Sequence, residues 1–384
     1  MPTNKLPDSA DQAPGANALS HHGRVVAIDA LRGFDMFWIV GGQGVALALA
    51  AAITDPVPEW LKYHLNHPDW IGFSAWDLIM PLFLFIVGAA MPFSFSRRLE
   101  QGHSRRQLYW KIGRRCVILF LLGMVHQGNL LQFDLSKLHV YCNTLQAIAS
   151  GYLIAGIVML NLRVFGQVVV VAALLIGYCL IMMIVPFGDH RAGTLEPSAN
   201  VALAFDQQIL GGFRDGTTYT WILSSLGFAA TTLLGVQAGN LLRTATAPVA
   251  KVGWLTAVGI GCLAAGWAWG NWFGFPIIKH IWTSSMTLWA AGWCYLLLAV
   301  FYAAIDVAGL HRWAFPFTMI GANAITAYVI VQFVPFGTIS ENLVGGLAGH
   351  LPSAWGRVLL SFTALLVLWL GLYQMKRYKI FLRI

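Results

Sequence analysis

Residues 71–95 read IGFSAWDLIMPLFLFIVGAAMPFSF, twenty-five residues with a single charged group, Asp77. As a helix, such a run rises ~1.5 Å per residue and spans the ~30 Å hydrocarbon core of a bilayer. Similar runs recur through the 384 residues, which are 58% apolar and only 10% charged, with a mean hydropathy of +0.66. Inside hydrocarbon only helices and closed barrels satisfy the backbone. Barrel strands would alternate polar and apolar side chains over ~10 residues, and these runs do not alternate. The fold class is therefore all-α, a polytopic membrane helical bundle. The pattern predicts about ten transmembrane helices, over 33–53, 71–96, 110–131, 143–162, 165–187, 219–242, 250–270, 283–305, 314–335 and 355–375.

Residues 1–25 are rich in Pro, Ser, Asp, Asn and Gly and lack an apolar core. They are expected to form a disordered tail, not a signal peptide. Residues 26–384 are expected to form one transmembrane domain. The five cysteines, Cys116, Cys142, Cys179, Cys262 and Cys294, show no CxxC or metal-ligand spacing. They read as small core residues, and no metal is expected.

An even number of spans puts both termini on one side. Eighteen of the 24 Lys and Arg then share that side, including the seven between Arg97 and Arg115. The positive-inside rule makes it cytoplasmic. The net charge of +8 is mostly this bias, so no nucleic-acid partner is inferred. The loop HLNHPDW, 64–70, and the long loop 188–218 with Asp189, Glu196, Asp206 and Asp215 would face outward.

Within these segments a few polar residues could carry chemistry. Pro68 suits a first helical turn, which predicts a helix start with His67 near its N-cap. The positive end of that helix would favour the neutral imidazole, and Asp69 would oppose this. His64 and His67 could equally be interfacial loop residues. Asp77 is expected about six residues into its span, ~9 Å deep. An acid there is costly and is paired or functional: it could pair with Lys279, or orient an imidazole as the acid of a catalytic triad does. Asp35 could simply pair with Arg32. The stretch NWFGFPIIKHIWTSSMTLW, 271–289, gathers Lys279, His280, Trp282, Ser284 and Ser285. Tryptophans there serve as membrane-interface anchors or as platforms for sugar rings. Gln146 and Asn323 are buried amides that could be helix–helix glue. The basic block 96–116 could enforce topology, or clamp a polyanion with its guanidinium groups.

Read together, RVVAIDALRGFDMFWIVGG and HPDWIGFSAWDLIMPLFLFIVG resemble the opening of the membrane-embedded acetyltransferases typified by heparan-α-glucosaminide N-acetyltransferase. The bacterial branch of that family includes a proposed sugar acetyltransferase. The resemblance continues through LQAIASGYL, LLGVQAGNLLR, PIIKHIWTSSM, GANAITAYV and KRYKIFLRI, over about 24–384. Its most specific element is the order His67, Trp70, Gly72, Asp77, Pro81.

The resemblance implies transfer of acetyl from cytoplasmic acetyl-CoA, a co-substrate, to an amino sugar such as glucosamine beyond a bacterial inner membrane. It places the family's active-site histidine on His67 and its aspartate on Asp77. A family asparagine falls on Gln43, one methylene longer. His67 would take the acetyl group or deprotonate the amine, with Gln43, Asn323 or Ser284 stabilising the oxyanion. Trp70, Lys279, Trp282, Ser284, Ser285 and Gln146 are the candidates for holding the sugar. Arg32, Arg97, Arg98, Arg105 and Arg114 are the candidates for the CoA phosphates. The large luminal domain of the lysosomal relative has no counterpart in the sequence, which argues against polymeric heparan sulfate. The resemblance also allows a homodimer. Two other functions fit the polar residues: a proton-coupled transporter of polar solutes using Asp77 and His67, and a glycan O-acetyltransferase.

Overall fold

The computed structural model describes residues 25–54 and 56–381. The expected tail lies outside them apart from Val25. The chain is a helical membrane bundle. Its helices are α1 (Val26–Phe37), α2 (Gln43–Ile53), α3 (Glu59–Leu65), α4 (Ile79–Glu100), α5 (Arg105–His126), α6 (Thr144–Asn161), α7 (Val164–Ile184), α8 (Val201–Leu210), α9 (Ser225–Arg243), α10 (Pro248–Trp272), α11 (Ser284–Tyr302), α12 (Phe315–Ala322), α13 (Ala324–Phe333), α14 (Phe336–Gly349) and α15 (Ser353–Arg377). The described strands, β1 (Leu195–Glu196) and β2 (Ala199–Asn200), form one short hairpin before α8. A π-helical turn, Trp38–Gly42, joins α1 to α2.

Each of the ten expected spans contains a helix. Among the described residues seven helices are long and apolar enough to cross a membrane, or eight if α12 and α13, bent by 75° at Asn323, form one span. The two that fall short are α5 and α9. The first half of α5 carries Arg105, Arg106, Lys111, Arg114 and Arg115. In α9 the polar residues Thr231, Thr232, Gln237 and Asn240 lower its hydropathy, but the helix is mostly buried inside the bundle. Its threonines bond back to the carbonyls of Gly227 and Phe228, and Gln237 and Asn240 share the side chain of Gln167 on α7. Internal partners therefore let a helix too polar for lipid contact run through the core.

Glycine sets the spacing at the centre. A Cβ on Gly88 of α4 would run into the Thr232 carbonyl of α9, and one on Gly235 of α9 would run into the Phe85 carbonyl. The two backbones touch as small residues allow, so α4 is gripped by α9 along its length. This matters because α4 carries Asp77 at its leading end and Arg97 at its far end, ~30 Å apart. Gly235→Leu should lower the melting temperature in detergent sharply, since overpacking alone costs about 1–3 kcal/mol and here the obstacle is backbone. Gly177→Ala, on α7 with open space around it, should leave melting unchanged or raise it slightly.

Candidate active site

The predicted helix start at Pro68 is not present. Residues 66–75 form an irregular loop, and the helix begins with a 3-10 turn, Trp76–Leu78, that continues into α4. The dipole argument for His67 therefore does not apply. Long-range pairing holds the loop open instead. Ile71 bridges Ile278, and the Gly72 N–H donates to the Ile277 carbonyl at 3.0 Å. Gly72 adopts φ +134°, a region open to glycine.

Asp77 lies in the first turn of its span, not six residues deep, yet it is only 1% exposed. Ser74 and Asp77 cap each other: the Ser74 N–H donates to Asp77 Oδ2 at 2.9 Å, and the Asp77 N–H donates to Ser74 Oγ at 3.2 Å. The other oxygen, Oδ1, lies 2.5 Å from Nδ1 of His67 and 3.3 Å from Nζ of Lys279. Nζ is also 3.2 Å and 3.4 Å from the two ring nitrogens of His67. Both expectations for Asp77, the imidazole and the Lys279 pair, are met at once. A neutral His67 that donates its Nδ1–H to Asp77 would keep the Nε2 lone pair for chemistry.

Lys279 is buried, and burial pushes its ammonium down to about 8, with Asp77 opposing the shift. Its neighbour His280 is pushed down to about 4 by burial, with Lys279 and His67 adding to the effect. His280 is thus neutral at pH 7. Its Nδ1 meets Thr218 Oγ1 at 2.6 Å, and its ring stacks on Tyr219 at 4.2 Å and lies 5.3 Å from Trp70.

A cavity of about 340 Å³, within the size range of small-molecule sites, opens on His67 and Lys279, with Asp77 buried behind them. His67 and Lys279 line it with Trp76, Tyr219, Trp221 and Tyr328, and Asp215 and Thr217 stand at its wall. Asp206 of α8 accepts the N–H groups of Trp221 and Ile222 at 2.7 and 3.0 Å. Burial pushes its carboxyl up to about 6, against those hydrogen bonds. Asn143 donates to Tyr328 at 3.2 Å, and Tyr328 stacks on His126.

The other expected residues lie around this centre or away from it. Gln43 donates to the Leu65 carbonyl at 2.6 Å, two residues before His67, so it braces the loop. Trp70 donates to the Leu195 carbonyl, tying the loop to the hairpin. Gln146 holds the 140–142 turn. Trp282 is buried and donates to Thr231. Ser284 bonds the Leu175 carbonyl and Ser285 the Pro276 carbonyl. Asn323 sits at the α12–α13 break and donates to the Ile380 carbonyl. None of these last five lines the cavity. The aromatic wall was missed, although the run TTYTW, 217–221, is visible in the long outer loop.

At the opposite end, a cavity of about 790 Å³ is lined by Arg32, Arg97, Arg243 and Lys251, with Asp29 and Glu100. Arg98, Arg105 and Arg114 do not line it. Arg32 pairs with Asp29 at 3.4 Å, not with Asp35 as expected. Asp29 is the acid three residues before Arg32, and Asp35 is buried in the bundle.

This geometry can be set beside known proteins. The chain is similar to heparan-alpha-glucosaminide N-acetyltransferase. The human protein is 23% identical over 359 residues, 78% of this chain and 52% of its own length. The mouse protein is 22% identical over 396 residues, 87% of this chain and 58% of its own. The chain thus spans somewhat over half the length of these relatives. No protein-family model matches it.

The Lys279 shift gives a pH prediction. Between about 8 and the ordinary 10.5 the folded protein has released a proton that the unfolded chain still holds. Stability contributed by this group therefore rises with pH across that window. The melting temperature of the wild type, relative to Lys279→Met, should climb from pH 8 to 10 and stay level from pH 6 to 7.

Proposed function

We propose that the protein is a transmembrane N-acetyltransferase that takes acetyl from acetyl-CoA at the Arg97 end and delivers it to an amino sugar, such as glucosamine, at the His67 end. The observation that carries this reading is the His67–Asp77–Lys279 trio opening on a sugar-sized cavity. The similarity to a named N-acetyltransferase supports the reaction class. The bias of basic residues supports a cytoplasmic Arg97 end and an outward His67 end in a plasma membrane.

In this reading Asp77 fixes the His67 tautomer and stabilises the imidazolium formed when Nε2 either takes up the acetyl group, as the thioester C–S bond breaks and CoA leaves as thiolate, or takes up the proton of the attacking amine. In both routes the proton lost by the amine ends on the CoA sulfur. Lys279 shares the Asp77 carboxylate with the ring and holds both in place. Tyr219 and Trp221 offer faces to a pyranose ring. Asp215 offers a carboxylate to the amino group before the amine loses its proton. At the far end, Arg32, Arg97, Arg243 and Lys251 bind the CoA phosphates. Acetyl-CoA is too polar to cross hydrocarbon whole, so only its thin arm enters the bundle.

Purified protein in detergent, given radiolabelled acetyl-CoA and glucosamine, should make labelled N-acetylglucosamine. His67→Ala should lose at least about 10²-fold in rate. Tyr219→Leu should raise the KM for the sugar about fivefold with kcat largely kept, as a stacking contribution of ~1 kcal/mol implies. Full activity in His67→Ala would remove this mechanism. Labelling of a sugar bearing only hydroxyls, at a rate equal to that of glucosamine, would replace the amine acceptor with a hydroxyl.

A further inference from the structure

Asp35 stands apart from the other acids buried in the bundle. It is 1% exposed, and neither of its oxygens has a hydrogen-bond partner among the described residues. Asp77 and Asp206 each accept several hydrogen bonds, and Asp306 accepts those of Val26 and Ala27. A buried polar group is normally paired, and an unpaired acid within a membrane helix calls for a functional explanation.

Its position supplies one. On α1, Ile28 and Arg32 line the basic cavity, while Ile39, just beyond its end, lines the His67 cavity. At 100° per residue, Ile28, Arg32, Asp35 and Ile39 fall within about 60° of one another. On α4, Phe83 lines the His67 cavity and Ala90, Ser94 and Arg97 line the basic one. These four, with Val87 between them, lie on one face as well. Both helices give the same separation. Seven residues part Arg32 from Ile39, and seven part Phe83 from Ala90, each ~10 Å along the axis. The two cavities are thus divided by a thin septum where α1 packs on α4. Met36 and Val87 are buried, and on the helical wheel Asp35 falls on the cavity-lining face of α1 between Arg32 and Ile39.

We propose that the arm of the acyl carrier crosses the protein through this α1–α4 septum, and that Asp35 is the residue that hydrogen-bonds the arm's amide groups on the way. The proposal rests on the acyl-CoA reading above. The arm carries two amides, and two extended amide units cover roughly the septum's depth. In an apolar passage each amide N–H and C=O needs a partner. A carboxyl group offers acceptors in its ionised form and both a donor and an acceptor in its neutral form. The amides satisfy either. Asp35 is then a positioning and specificity residue for the donor, remote from the reacting atoms.

The test uses the full chain in detergent and titration calorimetry with two ligands, CoA and adenosine 3′,5′-bisphosphate, which has the phosphates but no arm. Asp35→Ala should weaken CoA about tenfold and leave the bisphosphate within twofold, a result that also reports an intact fold. Asp35→Asn, which keeps a donor and an acceptor, should bind CoA within threefold of wild type. Wild-type CoA affinity in Asp35→Ala would overturn the proposal, as would equal weakening of both ligands in both variants. A wild type that binds neither ligand would instead overturn the acyl-CoA reading, and the septum route would fall with it.

Discussion

Asp77 is a carboxylate placed in the first turn of a membrane helix and closed off from solvent. Burying such a group is costly unless its oxygens are matched by donors and a cation. The matching groups come from three places. Ser74 supplies the local cap, His67 comes from the loop ten residues back, and Lys279 comes from 212 residues away from His67. The Ile71–Ile278 bridge brings the last two segments together. Satisfying one acid therefore assembles the whole site, and the fold cannot place Asp77 without also placing His67 and Lys279. Removing any partner leaves the others buried and unbalanced.

The rest of the bundle separates two kinds of surface. One end of α4 presents a neutral and aromatic cavity with a single cation, Lys279, at its base. The other end presents a cavity with four basic side chains. α9 fixes the position of α4 between them through glycine contacts. A polyanion has reason to stay at one end and a sugar at the other. Under the proposed function the chemistry would bridge the short stretch between these cavities, not a full membrane thickness.

Much of this was legible in the sequence. Long apolar runs located the helices, since hydrocarbon leaves the backbone no other option. An acid in one of those runs, with histidines just before it, pointed to the candidate site, whereas of the basic block only Arg97 reaches the opposite cavity. What was not legible depended on contacts between distant segments. Pro68 looked like a helix start by local rules, but pairing of residues 71 and 72 with 277 and 278 holds that loop extended. Arg32 had two acids within one turn, and only packing decides that Asp29 takes it and Asp35 turns inward. Tyr219 and Trp221 come from one loop and Tyr328 from α13, and nothing in the sequence signals that the two segments converge. Ser284, Ser285 and Gln146, chosen as substrate ligands, proved to be held by backbone groups, the ordinary fate of a small polar group in a membrane bundle.

The central claim is that donor and acceptor meet from opposite sides. The most direct measurement seals the protein into liposomes with acetyl-CoA only inside and glucosamine only outside, and follows N-acetylglucosamine in the external medium. The account predicts product outside, formed without release of acetyl-CoA and absent with His67→Ala. Product that appears only when both substrates are on the same side would contradict it.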